Sequence, residues 1–355
     1  MDVIRQQVPF LNLAFLAPSK FVEYGSQVLP EVSKQHLLAV LWCEHDVVLA
    51  LPCRMVQMVV IQALLLNMFE QGFLFAFLGL GVLITFRFFR FPDLTAEGSY
   101  PLGGAVVAAL LVQGIDPFVA SFAAAGAGAI AGIATALIHT KLRINNIIAG
   151  IIAMTALYSV NLRVMGKANV PLLTTPTVFS ETVAGLNQLG FNLHDNVHTT
   201  IPIALALLVC AAVALIWFFA TDLGLAVRAT GQNETMIASL GVDTDRTKVV
   251  GLALSNGFIA FSGALVAQNH GFADIGMGIG ILVTGAAAVL IGEAIFGDRS
   301  VAWWVLAAIC GTVIYRLLVA LALRVGLQPV DLRLVTAVLL LLALTIPRWR
   351  LRVLK

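Results

Sequence analysis

From Met68 onward, apolar runs of about 20 residues alternate with short polar connections, which is the length a helix needs to cross roughly 30 Å of hydrocarbon. The pattern predicts spans near 68–87, 91–113, 116–139, 147–166, 199–220, 248–268, 275–297, 301–324 and 333–347. Two connections are long, 167–198 and 221–247. The expected fold is an all-α polytopic membrane protein of about nine transmembrane spans. Two of the spans are broken or glycine-rich, and the halves are pseudo-repeated. Residues 1–67 mix Gln, His, Glu and Pro with short apolar runs, and are read as an N-terminal extension outside the unit that begins near Met68.

Two spans break the pattern. In "FPDLTAEGSYPLGG" (91–104) prolines, glycines and two acids interrupt an apolar stretch. Residues 101–113 rise only about 20 Å as a helix, too little to cross. The chain returns outward in time only if 91–100 also lies at membrane depth. Pro92 and Pro101 lack amide hydrogens and disfavour helix in the residues before them. Irregular backbone at that depth must be buried in protein or line a wet cavity, and an acid exposed to lipid costs up to about 3 kcal/mol. Phe91, Asp93, Thr95, Glu97, Ser99 and Tyr100 are therefore candidates to line a translocation path. The competing reading is an interfacial loop followed by a capped, tilted helix. The second interrupted span, "DIGMGIGILVTGAAAVLIGEAIFG" (274–297), adds Gly276, Gly278, Gly280 and Glu293. One broken segment in each half is the pattern that points to a central transport site.

The composition agrees: 60% of residues are apolar, 11% are charged, and mean hydropathy is +0.96. A net charge of +2 gives no reason to expect a nucleic-acid partner. The positions of the cations are more informative. With 221–247 in the cytoplasm, Arg87, Arg90, Lys141, Arg143, Arg228, Arg246, Lys248, Arg299, Arg348, Arg350, Arg352 and Lys355 fall inside. Only Arg163, Lys167, Arg324 and Arg333 fall outside. The positive-inside rule thus places the C-terminal tail in the cytoplasm and 167–198 outside.

Other residues admit bland readings. Gly128 and Gly132 have GxxxG spacing, which suits close packing within one subunit better than a dimer seam. Arg316, deep in a span, is expected to pair with Glu293 or Asp274 or to line the path. Trp303, Trp304 and Trp349 read as interfacial anchors. His194 and His198 lack a third neighbour, so no metal site is expected. Cys43, Cys53, Cys210 and Cys310 show no ligand or redox spacing. No catalytic constellation and no G-x-x-x-x-G-K-[ST] loop occurs, so ATP must be handled elsewhere.

The most polar internal stretch is "DLGLAVRATGQNETMIASLGVDTDRTKVVG". Asn233 is a good N-cap and Gly241 suits a left-handed C-terminus. Met236, Ile237 and Leu240 fall on one face between them. A helix of two turns is unstable alone and needs a groove for that face, in its own protein or in a partner.

This stretch resembles the coupling region of the branched-chain amino acid/ribose permease family of ABC importers. The matching positions are Gly224, Arg228, Ala229, Gly231, Asn233, Ala238, Gly241 and Ser262-Gly263, and the likeness spans about 68–350. The sub-branch resembled includes permeases associated with aromatic amino acid or other small-solute uptake. The general EAA-type importer motif is not reproduced, since Thr-Met follows Glu234 and the glycine comes one place late. The resemblance implies a permease subunit with no cofactor of its own, in a bacterial plasma (inner) membrane. Its partners would be a cytoplasmic ATP-binding cassette subunit, an extracytoplasmic solute-binding protein landing on 167–198 (Glu181, Asp195), and a second permease copy, a homodimer being expected. Arg228, Gly231, Asn233, Glu234, Met236, Ile237, Ala238, Leu240 and Gly241 would couple to the ATPase. An ion-coupled secondary transporter and a non-transporting membrane scaffold are the alternatives.

Overall fold

The computed structural model describes residues 50–188, 197–297, 299–324, 326–328 and 331–353. The side chains of 50–64 and 346–353, with Trp349 among them, and residues His194 and Asp195 lie outside that description, as do Cys43 and the side chains of Cys53 and His198. The chain divides into Met1–Leu64 and Leu65–Lys355.

Helix α1 (Ala50–Leu83) widens into a π-turn, Ile84–Phe88, where the Phe89 amide donates to the Ile84 carbonyl at 2.9 Å. Arg90 then adopts a left-handed backbone, φ 52°, and turns the chain back into the bundle. Helix α2 (Ala96–Val112) follows, then α3 (Pro117–Lys141) and α4 (Asn146–Met165). Their starts are locally encoded: Asp116 accepts from the Phe118 and Val119 amides with Pro117 at the first helical position, and Asn145 accepts from Ile147.

A short strand β1 (Asn169–Pro171), helix α5 (Val178–Gln188) and helix α6 (Val197–Ala220) come next, followed by α7 (Asp222–Gln232), α8 (Glu234–Ser239) and α9 (Thr244–His270). Strand β2 (Phe272–Asp274), a 3-10 turn (Ile275–Gly278), α10 (Ile281–Phe296), α11 (Val301–Arg324) and α12 (Leu332–Val353) complete the chain. β1 and β2 pair antiparallel, Asn169 opposite Asp274 and Pro171 opposite Phe272.

Seven described segments are long and apolar enough to cross a membrane: Leu65–Phe88, Pro117–Lys141, Asn146–Met165, Thr199–Ala220, Thr244–His270, Ile275–Phe296 and Val301–Arg324. Ala96–Val112 and Leu332–Leu341 are shorter apolar helices. The all-α polytopic membrane architecture is thus as the periodicity indicates, and each of the nine sequence spans has a helix.

Leu65–Phe88 and α9 are the most enclosed segments, while α4 and α6 turn most of their length outward. Val209, Val213 and Trp217 of α6 and Ile148 and Ile151 of α4 are exposed, as suits surfaces that meet hydrocarbon. α3 packs closely along α9. A Cβ at Gly128 would strike the Asn256 carbonyl and the Ala260 side chain, and one at Gly132 the Leu252 carbonyl. The GxxxG pair therefore seats one helix on another within the subunit.

Two local expectations change. Segment 167–198 is not simply a loop: it contains β1 and the amphipathic helix α5, fixed where Gln268 Oε1 accepts from the Val178 amide at 2.9 Å and Gln268 Nε2 donates to Ser121 at 2.8 Å. Helix α2 starts at Ala96, five residues before Pro101, so the irregular stretch is confined to 89–95. The reason lies in the caps. Asp93 Oδ1 accepts from the Thr95 amide, and the Thr95 carbonyl accepts from Gly98 and Ser99, so the helix is nucleated upstream of the proline.

Candidate translocation site and coupling segment

Most of the stretch Phe91–Tyr100 is enclosed by protein: Phe91, Asp93, Thr95, Ala96, Ser99 and Tyr100 are buried, with Asp93 only 1% exposed, while Pro92 is exposed. The polar side chains of Asp93, Thr95 and Ser99 are held from other helices, as burial demands. Asn256 of α9 donates from Nδ2 to Asp93 Oδ2 at 2.7 Å and accepts on Oδ1 from Ser99 Oγ at 2.7 Å. Thr95 shares a hydrogen bond with Thr135 of α3 at 2.8 Å, and Asn161 of α4 donates to the Gly98 carbonyl at 3.1 Å. Phe91 packs its ring against Phe89 and edge-on to His139.

The two interrupted segments meet. Glu97 Oε1, part-buried in the first turn of α2, accepts from the Gly280 amide at 3.2 Å. Pro101 has no amide to offer the Glu97 carbonyl, so that oxygen is free to face Gly278, where a Cβ would collide with it and with the proline ring. Asp274 caps the 3-10 turn, accepting from the Gly276 amide at 2.7 Å and from Asn169 at 3.2 Å. Glu97 and Pro101 of the first segment thus meet Gly278 and Gly280 of the second.

Glu293 does not belong to it. It forms an ion pair with Arg87, Nε to Oε1 at 3.2 Å, with side chains 28% and 24% exposed, beside a cavity of about 180 Å³. Arg316 pairs with neither Glu293 nor Asp274, contrary to expectation. Its guanidinium carbon lies 3.3 Å from the Phe75 ring centroid, and its one printed hydrogen bond, to Gln71, is 3.5 Å long. Trp304 is also more than an interfacial anchor. It packs on Phe88, with the guanidinium carbons of Arg87 and Arg228 at 4.8 and 5.9 Å from its ring.

The polar stretch folds as its caps direct. Asn233 accepts from the Met236 amide at 3.0 Å, and Gly241 ends the turn with φ 85°, a backbone few other residues adopt without strain. Glu234 pairs with Lys248 of α9. The apolar face is divided, however. Ile237 is buried in the subunit, while Met236 and Leu240 are 52% and 70% exposed, because α8 lies against α7 and α9 on one side only. Ala238 is exposed beside them.

Inward of α8, Gly231 meets the backbone of Phe88 and Phe89, where a Cβ would run into the Phe88 carbonyl. Arg228 reaches Trp304 over a cavity of about 140 Å³ lined also by Arg87, Arg90 and Gln232. The sequence offered no sign of Asn256, Thr135 and Asn161 as partners. Polar residues recurring inside apolar spans are the one signal that could have drawn attention to them. Among the described residues no group of three His, Cys, Asp or Glu side chains could hold a metal ion.

A helical bundle with two interrupted segments abutting in its interior and a short exposed apolar helix tied to one of them is built as a membrane permease. The chain belongs to the family described as branched-chain amino acid transport system, permease component, whose family model matches residues 64–345. It is 37% identical over 277 residues to the tyrosine transport system permease protein of Clostridioides difficile (strain R20291), covering 78% of this chain and 89% of that one. It is also 33% identical over 286 residues to an uncharacterized protein of Rickettsia prowazekii (strain Madrid E), covering 79% and 97%. No solved structure matches it. The chain is a permease subunit of an ABC importer for a small solute, a transporter component rather than an enzyme.

Proposed function

We propose that this permease moves an amino acid-like solute inward past the meeting point of the two interrupted segments, and that a separate ATP-binding cassette subunit drives it by gripping α8. The distribution of Lys and Arg supports α8 and the C-terminal tail in the cytoplasm, and 167–198 on the far side of a bacterial inner membrane, where a solute-binding protein would land. A second permease copy, most simply the same chain, completes the path. Glu97, Gly276, Gly278 and Gly280 border the path. Phe91, Asp93, Thr95, Ser99 and Tyr100 set its wall, and the Glu293–Arg87 pair stands nearer the π-turn.

One observation carries the reading: Gly231, just before α8, touches the Phe88–Phe89 backbone that leads into Phe91–Tyr100. A push on the exposed Met236 and Leu240 side chains is thereby delivered to the interrupted segment without crossing a flexible linker. Arg228, stacked by Trp304, stiffens the same junction.

The name of the Clostridioides difficile relative makes L-tyrosine the first solute to try. The test is uptake into proteoliposomes holding the permease, its ATPase subunit and its binding protein. ATP-dependent accumulation is the expected result, lost when Met236 and Leu240 are both changed to Asp. Uptake that follows an ion gradient and ignores ATP would make the chain a secondary transporter. No solute flux at all, with α8 still binding a partner, would make it a scaffold.

A further inference from the structure

Among the described residues, two hydrogen-bond donors beside the Phe75 ring lack an acceptor. Tyr100 is 1% exposed and its hydroxyl has no partner. The Nε of Arg316 is shut off from solvent and likewise has none. The two lie within electrostatic range of each other and border one aromatic ring, Phe75, whose centroid is 6.1 Å from that of Tyr100 and 3.3 Å from the Arg316 guanidinium carbon.

The candidate partners of Arg316 are committed elsewhere. Tyr315 Oη is engaged with Thr336 at 2.7 Å, Asp274 caps its own turn, and Glu293 is held by Arg87. Gln71 reaches Arg316 at 3.5 Å, the far limit of a hydrogen bond. Among the described residues no carboxylate forms an ion pair with Arg316. A cation inside a membrane span normally has a partner, because leaving one unpaired at such depth is costly. The Phe75 face attracts the cation, but it cannot accept a hydrogen bond in the guanidinium plane.

Orphan donors, one of them charged, share a need for a single acceptor-rich anion. We propose that Arg316 and the Tyr100 hydroxyl receive the carboxylate of the transported solute, between α1, α2 and α11. A guanidinium fork is the side chain best matched to a carboxylate. This deepens the importer reading above and rests on it: the solute class becomes carboxylate-bearing, and two residues are named as its readers. Tyr100 stands one turn beyond Glu97 on the same helix, so the anion site continues directly from the meeting of the interrupted segments.

The experiment uses the complete importer in proteoliposomes, with ATP-driven uptake of each radiolabelled proteinogenic L-amino acid and of ribose as a carboxylate-free solute. Arg316→Met, Arg316→Lys and Tyr100→Phe are compared with wild type, and the melting temperature of each assembled permease is measured. The expected solute carries a carboxylate. Arg316→Met lowers its uptake by roughly 100-fold, Tyr100→Phe by roughly tenfold, and Arg316→Lys falls between, since it keeps the charge and loses the fork. Melting temperatures hold or rise, because the Tyr100 hydroxyl has no partner to lose and the Phe75 and Gln71 contacts of Arg316 do not offset the burial of its unpaired charge.

Should Arg316→Met fail to assemble, Tyr100→Phe decides, as it removes one unbonded hydroxyl. Uptake within twofold of wild type in that variant overturns the proposal, as does a melting temperature that falls in step with uptake. A wild-type importer that carries only ribose overturns it while leaving the importer reading intact. A wild type with no ATP-driven flux overturns both.

Discussion

Changing Asp93 to alanine removes the acceptor for two buried donors at once, the Thr95 amide at 2.9 Å and the Asn256 Nδ2 at 2.7 Å. Water cannot replace it, since Asp93 is 1% exposed and Thr95, Ser99 and Asn256 are fully buried. Each stranded donor costs about 1–3 kcal/mol, so the variant should lose roughly 2–6 kcal/mol. Asn256 keeps its second amide hydrogen on the Leu252 carbonyl at 3.0 Å, which argues for the middle of that range. Asp93→Asn behaves differently. The new amide keeps its oxygen for Thr95, and Asn256 cannot flip to meet the new NH2 without losing the Leu252 carbonyl, so a single unsatisfied donor pair remains. That loss should be about 1–2 kcal/mol, below that of alanine.

The assay is thermal unfolding of the detergent-solubilised permease, followed by the fraction that stays monodisperse. Asp93→Ala should melt on the order of 5 °C lower, and Asp93→Asn within about 2–3 °C of wild type, at about 1–2 °C per kcal/mol for a chain of 355 residues. An Asp93→Ala protein that melts within about 2 °C of wild type would refute the reasoning, because the buried network would then contribute nothing. Uptake by Asp93→Asn adds a further distinction. It should be near normal if the carboxylate is structural, whereas a stable variant that no longer transports would point to ion coupling at Asp93.

Gly231→Val should abolish ATP-driven uptake while the ATPase subunit still co-purifies, since its side chain would push α7 off the Phe88–Phe89 backbone and leave α8 in place. Met236→Asp and Leu240→Asp should each weaken co-purification of the ATPase subunit with no change in melting temperature, both side chains being more than half exposed. Ile237→Asp, by contrast, should destabilise the permease itself by roughly 3 kcal/mol, seen as a lower melting temperature without any partner present. Gly278→Val should separate the two interrupted segments by driving a side chain into the Glu97 carbonyl and the Pro101 ring, lowering both uptake and melting temperature.

Much of the fold was legible because a bilayer imposes rules that act on short stretches of chain. Hydrocarbon thickness fixes how long an apolar run must be, so the spans could be placed from composition alone. The same holds for features set within a few residues: Asn233 capping Met236, Gly241 turning left-handed, and Pro92 and Asp93 breaking a span. The acids at 93 and 97 could not face lipid at membrane depth, and the fold buries Asp93 fully and Glu97 in part.

What remained closed to the sequence depends on partners far away along the chain. Nothing local says that Asn256 holds Asp93 from 163 residues on, or that Glu293 takes Arg87 in preference to Arg316. The spacing of Met236, Ile237 and Leu240 marked an apolar face, but only the way α8 rests on its neighbours turned Ile237 inward and left the other two outside. The sequence by itself therefore determined which segments enter the membrane and where their backbones break, since those follow from solvation of the chain residue by residue. The tertiary structure alone decided which buried polar groups satisfy one another and which are left wanting, because a hydrogen bond needs two groups at one point in space, and only packing of the helices brings them there.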